Sequence, residues 1–119
     1  MRKIVLLFLT FLTLVVVPVR ADQPPANGTV KEFFGNGHLK SILKYKNDEL
    51  LRKRVYHEQG QLLLDTVYHD KTAIMIKSYY LNGQLKSVWT RKSGEARFFY
   101  PTGQPKITIP VRNPSRLEK

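Results

Sequence analysis

Basic residues recur at fixed intervals along this chain of 119 residues, and they define the chemistry that the sequence offers. One set stands two positions before recurring aromatic residues and contains Lys31, Arg54, Lys77 and Arg97. A second set stands three positions after recurring glycines and contains Lys40, Lys86 and Lys106, with Leu63 at the equivalent place in the remaining unit. We call these sets the first and second basic rows. In a regular array they would align into cationic stripes that attract an anionic partner.

Two interpretations of the basic rows stay open from the sequence. In the first, the rows dock on lipid headgroups, an envelope polysaccharide or an acidic protein. In the second, lysines on solvated faces and edges keep sheets from aggregating with one another.

Aromatic residues accompany the basic ones. Each unit carries a first aromatic residue, at 33, 56, 79 and 99, and three units carry a second one: Phe34, Tyr80 and Tyr100. Because strand side chains alternate between faces, one set is expected to pack in the sheet. The second set, Phe34, Tyr80 and Tyr100, is the candidate for contact with a peptide or a sugar ring, although cross-strand pairing would also explain it. Aromatic residues among cations also suit single-stranded nucleic acid, but a predicted export signal argues against that partner.

Residues of the types used in catalysis or metal binding are scattered. His38, His57 and His69 lie in different turns or strands, and the chain has no cysteine. A zinc site needs three or four converging ligands, and no ligand spacing is recognisable. No serine stands in a nucleophile motif such as Gly-x-Ser-x-Gly. The sequence therefore predicts no enzyme, no metal and no cofactor.

Residues 1–21 have the pattern of a signal peptide, with Arg2 and Lys3 before an apolar run over 4–17 and small residues leading to Ala21. The run is shorter than the roughly 20 residues that span a bilayer as a helix, and an uncleaved anchor is the alternative. We expect export to a periplasm or to the medium. Cleavage would remove three of the 20 basic residues and none of the 9 acidic ones, which leaves a basic protein with 17 against 9.

One motif of eight residues recurs along the rest of the chain. It is clearest at 79–86 as Tyr-Tyr-Leu-Asn-Gly-Gln-Leu-Lys, and weaker copies stand at 33–40, 56–63 and 99–106. The glycines at 37, 60, 83 and 103 are separated by 23, 23 and 20 residues, which indicates a repeat array. Apolar residues alternate with polar ones between the turns, as in strands, and Asn-Gly is a strong hairpin signal. The sequence predicts an all-β meander of tandem β-hairpin repeats that form one elongated antiparallel sheet.

Segment boundaries follow from these patterns. After the signal peptide, residues 22–28 read as a flexible leader rich in turn formers. Residues 29–109 form the repeat domain, and residues 110–119 read as a polar C-terminal tail because Pro110 and Pro114 cannot donate to a sheet ladder. The lack of cysteine in a small exported domain means that stability must come from repeat packing, oligomerisation or a partner.

Over residues 30–106 the repeated motif resembles the MORN-repeat variant of bacterial proteins, some of which are described as antitoxin-like. The second unit departs from the pattern, with His57 in place of an aromatic residue and Gln59 in place of Asn. The resemblance implies a single elongated antiparallel sheet and no known chemistry.

Two functions are compatible with these observations. The first is an exported, non-enzymatic repeat module for protein–protein interaction or self-association, through an exposed face or an open edge strand. The alternative is a peripheral binder of an anionic membrane or envelope surface that uses the basic rows, with salt-dependent binding.

Overall fold

A computed structural model describes residues 24–118 and shows eight β-strands and one short 3-10 helix. The strands are β1 (Gly28–Phe33), β2 (Leu39–Lys46), β3 (Glu49–Tyr56), β4 (Leu62–His69), β5 (Thr72–Tyr79), β6 (Leu85–Thr90), β7 (Glu95–Phe99) and β8 (Pro105–Pro110). They pair antiparallel in chain order to form a single open sheet. The predicted all-β meander is confirmed. The predicted signal peptide lies outside the described residues.

Tight turns follow β2 and β4. Each holds two consecutive residues at positive φ: Asn47 and Asp48 at 50° and 62°, Asp70 and Lys71 at 48° and 61°. This is the pattern of type I′ turns, whose twist matches that of the flanking strands. Lys71 thereby adopts a conformation that a lysine disfavours.

Longer turns follow the odd-numbered strands and share one geometry. In the turn after β5, the Tyr80 amide donates to the Gln84 carbonyl at 2.9 Å and the Gly83 amide donates to the Tyr80 carbonyl at 2.9 Å. Gly83 has φ +87°, which glycine adopts without strain. The equivalent bonds recur in the turns after β1, β3 and β7. These turns all lie at the same end of the strands.

Strand register divides the side chains between two faces. On the first, which we call the core face, one row crosses all eight strands: Val30, Leu43, Lys53, Thr66, Ile76, Trp89, Ala96 and Ile109. Ile76, Trp89 and Ala96 are buried and form the centre of the core. We call the opposite side the cationic face, because it carries the first basic row, Lys31, Arg54, Lys77 and Arg97.

The C-terminal segment folds back onto the core face. A polar tail is predicted over 110–119, but Val111 and Leu117 pack against the core, and Leu117 belongs to the 3-10 helix at Pro114–Glu118. The Glu118 carboxylate accepts hydrogen bonds from the hydroxyls of Thr66 at 3.3 Å and Tyr68 at 3.2 Å. Val111 and Leu117 are the two apolar side chains that dock this otherwise polar segment, because the core face beneath them is not covered by another element. The segment thus covers part of the face that would otherwise need a partner.

The described part of the leader also contacts the sheet. The Ala26 carbonyl accepts a hydrogen bond from the Asp48 amide at 2.8 Å, and the Asn27 side chain accepts one from the Asn47 amide at 2.9 Å. These bonds attach the chain just before β1 to the β2–β3 turn. Within residues 24–118, no helix has the length and apolar character needed to cross a membrane.

Candidate functional site

The first basic row is a continuous feature of the cationic face. Lys31, Arg54, Lys77 and Arg97 stand on β1, β3, β5 and β7, and the register aligns them across the sheet. Ile42, Asp65, Val88 and Thr108 occupy the strands between and beyond them. Because neighbouring strands lie about 4.8 Å apart, a cation recurs about every 10 Å. The row predicted from spacing is therefore present as a geometric alignment.

Asp65 is the acidic residue of this row and it is 4% exposed. Its carboxylate accepts two hydrogen bonds from Arg52, to Oδ1 from Nε at 2.8 Å and to Oδ2 from Nη2 at 2.6 Å. Arg54 Nε lies 3.8 Å from Oδ2. The hydrogen bond with Arg52 lowers the pKa of Asp65, assisted by the positive charges of Arg52, Arg54 and Lys77, and raises the pKa of Arg52. Asp65 therefore stays ionised and is satisfied chiefly by Arg52.

Three cations of the row are not paired with an acidic side chain of residues 24–118. In the described part of the chain, Lys31, Lys77 and Arg97 make no ion pair with an acidic side chain. Lys31 and Arg97 are exposed, and Lys77 is half-buried. The row therefore presents a surplus of positive charge along the sheet.

The second basic row and the second aromatic set meet in pairs. The ammonium groups lie over neighbouring rings, at 5.9 Å from the centroid for Lys40 and Phe34, 5.7 Å for Lys86 and Tyr80, and 5.6 Å for Lys106 and Tyr100. Such cation–π contacts are worth about 0.5–1 kcal/mol at exposed sites. The two sets are thus one feature of three hairpins rather than two separate surfaces.

Tyr80 is further held by its hydroxyl, which donates to the Phe99 carbonyl at 2.7 Å. This bond joins the end of one hairpin to the next. In the unit with Leu63 and His57, neither the lysine nor the second aromatic residue is available, and the pairing is interrupted there.

The first aromatic set shares the cationic face, whereas the sequence indicates Phe34, Tyr80 and Tyr100 as the candidate contacts. Each member stands two residues after a member of the first basic row, as Phe33 does after Lys31, and residues two apart in a strand point to the same side. Burial raises the pKa of Tyr79, and the negative charge of Asp65 adds to the rise. Phe33 is 60% exposed. Beside Phe99, a shallow depression is also lined by Arg97, Lys106 and Thr108.

The histidines stay apart from one another. His38 Nδ1 hydrogen-bonds the Glu58 carbonyl, and His69 Nδ1 lies 3.0 Å from Asp70 Oδ2. Among residues 24–118, no group of three or more His, Cys, Asp or Glu side chains converges to hold a metal ion.

Neighbouring hairpins of the array are joined through asparagine side chains. In the turn after β1, Asn36 Oδ1 accepts from the His38 amide at 3.0 Å, and its Nδ2 donates to the Glu58 carbonyl of the next long turn at 3.1 Å. Asn82 repeats both bonds, to the Gln84 amide at 3.0 Å and the Pro101 carbonyl at 2.9 Å. The Gln59 side chain, at the same place in the second unit, forms neither bond.

No curated protein matches this sequence. Among solved structures, a chain in the crystal structure of the GtfA/B complex bound to UDP and GlcNAc is similar to this chain, with a TM-score of 0.48 and 19% sequence identity. The similarity covers 67% of this chain but only 20% of that chain.

A family model gives the clearer result. The model described as MORN repeat variant matches residues 26–47, 76–93 and 92–113. The unmatched stretch between 47 and 76 contains the second unit, where Gln59 replaces the asparagine that joins neighbouring turns. MORN repeats are generally modules that bind proteins or membranes. With its repeats matched on both sides of that unit and one meander running through all of them, the chain belongs to the MORN repeat variant family.

Proposed function

We propose that the protein is an exported, non-enzymatic binding module that docks on an anionic component of the cell envelope through its cationic face. The observation that carries this proposal is the first basic row, in which Lys31, Arg54, Lys77 and Arg97 recur on every second strand. Export rests on the signal-peptide pattern of residues 1–21.

Charge placement supports this choice of face. The row holds four cations and one acidic residue, and Asp65 already has Arg52 as its principal partner. Lys44 and Arg52 extend the positive charge in the adjacent row of the same face. Aligned cations produce a stronger local potential than the same number scattered over the surface. Binding is then expected to weaken as salt rises, since exposed charges are screened within about 10 Å at 0.1 M ionic strength.

Two anionic probes test the proposal: vesicles containing phosphatidylglycerol, by co-sedimentation, and soluble polygalacturonate, by titration. We expect salt-dependent binding to at least one of them. Replacing Lys31, Arg54, Lys77 and Arg97 with glutamine should weaken that binding by at least tenfold.

The matched control removes the same charge elsewhere. Lys71, Arg91, Lys92 and Arg112 are exposed and stand in turns or in the C-terminal segment, away from the first basic row, and changing all four to glutamine should have a much smaller effect. Equal losses in both variants would show that only net charge matters. No binding to either probe at low salt would refute the proposal.

A protein partner is the second candidate, because the β8 edge is open. All six residues of β8 are exposed, including Ile107 at 54% and Ile109 at 38%. An exposed edge strand can accept another strand, although Pro105 and Pro110 shorten the stretch that can pair. Sedimentation of the purified protein over a concentration series tests self-association. Ile107→Lys should abolish any dimer formed there, and a dimer unaffected by it would exclude this edge.

A further inference from the structure

We propose that the partner of the cationic face is a linear acidic polysaccharide that lies along the first basic row, across the strands. This inference rests on the proposed function, since it assumes that the cationic face binds anions. It specifies the kind of anion that the arrangement of charges and rings fits best.

The cations form a line rather than a cluster. From Lys31 on β1 to Arg97 on β7 the row crosses six strand spacings, which is about 29 Å. A polymer with a carboxylate on successive sugar rings would meet a cation about every 10 Å along this path. A single phosphate or carboxylate could contact only one of them.

A parallel line of aromatic rings supplies a second contact suited to sugars. Phe33, Tyr56, Tyr79 and Phe99 each follow a member of the first basic row by two residues on the same face, a displacement of about 7 Å along the strand. Aromatic faces carry partial negative charge, and the C–H groups of a sugar ring carry partial positive charge, so the two surfaces stack favourably. Cations and rings in parallel lines therefore match a polymer that has both carboxylates and sugar faces.

The twist of β-sheets argues for a flexible polymer over a flat bilayer. Adjacent strands are typically rotated by roughly 20°, so six steps turn the direction of the side chains by on the order of 100°. A planar membrane would then contact only part of the row at one time. A flexible chain can follow the row as it turns, and can therefore engage Lys31 and Arg97 simultaneously.

The test compares polygalacturonate oligomers of increasing length with polyphosphate, single-stranded DNA and phosphatidylglycerol vesicles as probes of the purified protein. We expect affinity for polygalacturonate to rise with oligomer length and to level off once an oligomer spans about 29 Å. Polyphosphate of equal charge, which has no rings, should bind at least tenfold more weakly.

Ring contacts are tested by the double variant Phe33→Ser and Phe99→Ser. It should lower polygalacturonate affinity several-fold while leaving polyphosphate affinity unchanged, and thermal unfolding should confirm that both proteins are folded. Loss of affinity for both polymers to the same extent would assign the rings a structural role and would overturn the inference.

The remaining outcomes separate this inference from the function beneath it. If polyphosphate, DNA or the vesicles bind as tightly as polygalacturonate, the proposal of a polysaccharide partner is wrong, but the proposal that the cationic face binds anions is retained. If affinity shows no dependence on oligomer length, the alignment along the row is wrong. If none of the probes binds, both proposals fall.

Discussion

Arg52 holds the carboxylate of Asp65 by two hydrogen bonds, at 2.8 and 2.6 Å, on a face otherwise dominated by positive charge. The two residues stand on adjacent strands, β3 and β4, and Asp65 is buried beneath the guanidinium. The pair fixes the one acidic group of the first basic row in a place where a ligand cannot readily reach it. It also links the stability of the sheet to pH.

Asp65→Asn should destabilise the protein by about 1–3 kcal/mol, because a charged hydrogen-bond acceptor is lost at a buried position. Urea unfolding at neutral pH measures the change. Asp70→Asn is the control, since Asp70 is exposed in a turn where asparagine is equally suitable. A loss at Asp65 no larger than that at Asp70 would contradict the importance of the pair.

The same pair predicts acid sensitivity. The pKa of Asp65 is lowered in the folded state, so its stabilising contribution is complete above the unfolded pKa of about 3.9 and is lost as pH falls through the folded value. Unfolding followed from neutral pH to acid should show a smaller decline for Asp65→Asn than for the parent protein. Parallel curves would show that other carboxylates account for acid unfolding.

At alkaline pH the relevant group is Tyr68. Burial raises its pKa from 10.0 to about 12, and the nearby Glu118 charge adds to the rise. The folded state therefore favours the neutral phenol, so Tyr68 contributes stability that is complete below pH 10 and is lost as pH rises towards about 12. The difference in unfolding free energy between the parent and Tyr68→Phe should shrink across this range. If this difference in unfolding free energy stays constant, a group other than Tyr68 accounts for any loss of stability at alkaline pH.

Leu117→Asp should release the C-terminal segment from the core face. Burial of a leucine side chain is worth up to about 1.5–3 kcal/mol, and Leu117 is half-buried, so a loss of about 1 kcal/mol is expected. The chain has a single tryptophan, Trp89, which is 4% exposed within the same core. Its fluorescence should shift to the red in Leu117→Asp and remain unchanged in the exposed control Arg112→Ala. An unshifted spectrum would mean that the helix does not cover the core.

Lys71→Gly should stabilise the protein by about 1 kcal/mol. Lys71 has φ +61°, and a left-handed conformation costs an ordinary residue roughly 1–2 kcal/mol relative to glycine, part of which the greater entropy of unfolded glycine offsets. Lys92→Gly is the matched control, because Lys92 lies in the β6–β7 turn without positive φ, and it should be neutral or destabilising. Thermal unfolding of both variants decides the matter, and equal shifts would count against strain at 71.

Asn82→Ala should cost about 1 kcal/mol, since it removes a bond within its own turn and another to the Pro101 carbonyl. Gln59→Ala, at the same place in the second unit, should cost less than about 0.5 kcal/mol, as is usual for an exposed substitution. The two variants are compared by urea unfolding. Similar losses would show that these side chains do not join the hairpins.

Much of the fold could be predicted because the pattern of each strand repeats. Leu85, Ser87 and Trp89 fall at every second position, and the register places Ser87 and Trp89 on the core face as this period of two indicates. The first basic row was predictable for the same reason: Lys31, Arg54 and Lys77 hold equivalent places in three successive units. A fixed period determines which residues align, whatever the twist of the sheet.

Other features depend on contacts that periodicity does not encode. Two apolar residues, Val111 and Leu117, are too few to mark a docking segment until the sheet offers an uncovered face. The pairing of Lys86 with Tyr80 requires the geometry of the turn between them. The position of the first aromatic set on the cationic face does follow from the sequence, because Phe33 and Lys31 are two residues apart on one strand.

The hydrogen bond from Thr66 to Glu118 joins residues that are 52 positions apart in the chain. Every pair of neighbouring strands in the sheet is also adjacent in sequence, so hairpins can form locally and early. The C-terminal helix is different, because it can dock only after the strands beneath it have paired. The core around Trp89 therefore stays partly uncovered until residues 114–118 have been synthesised and the strands beneath them have paired, so the fold is completed only in a late step.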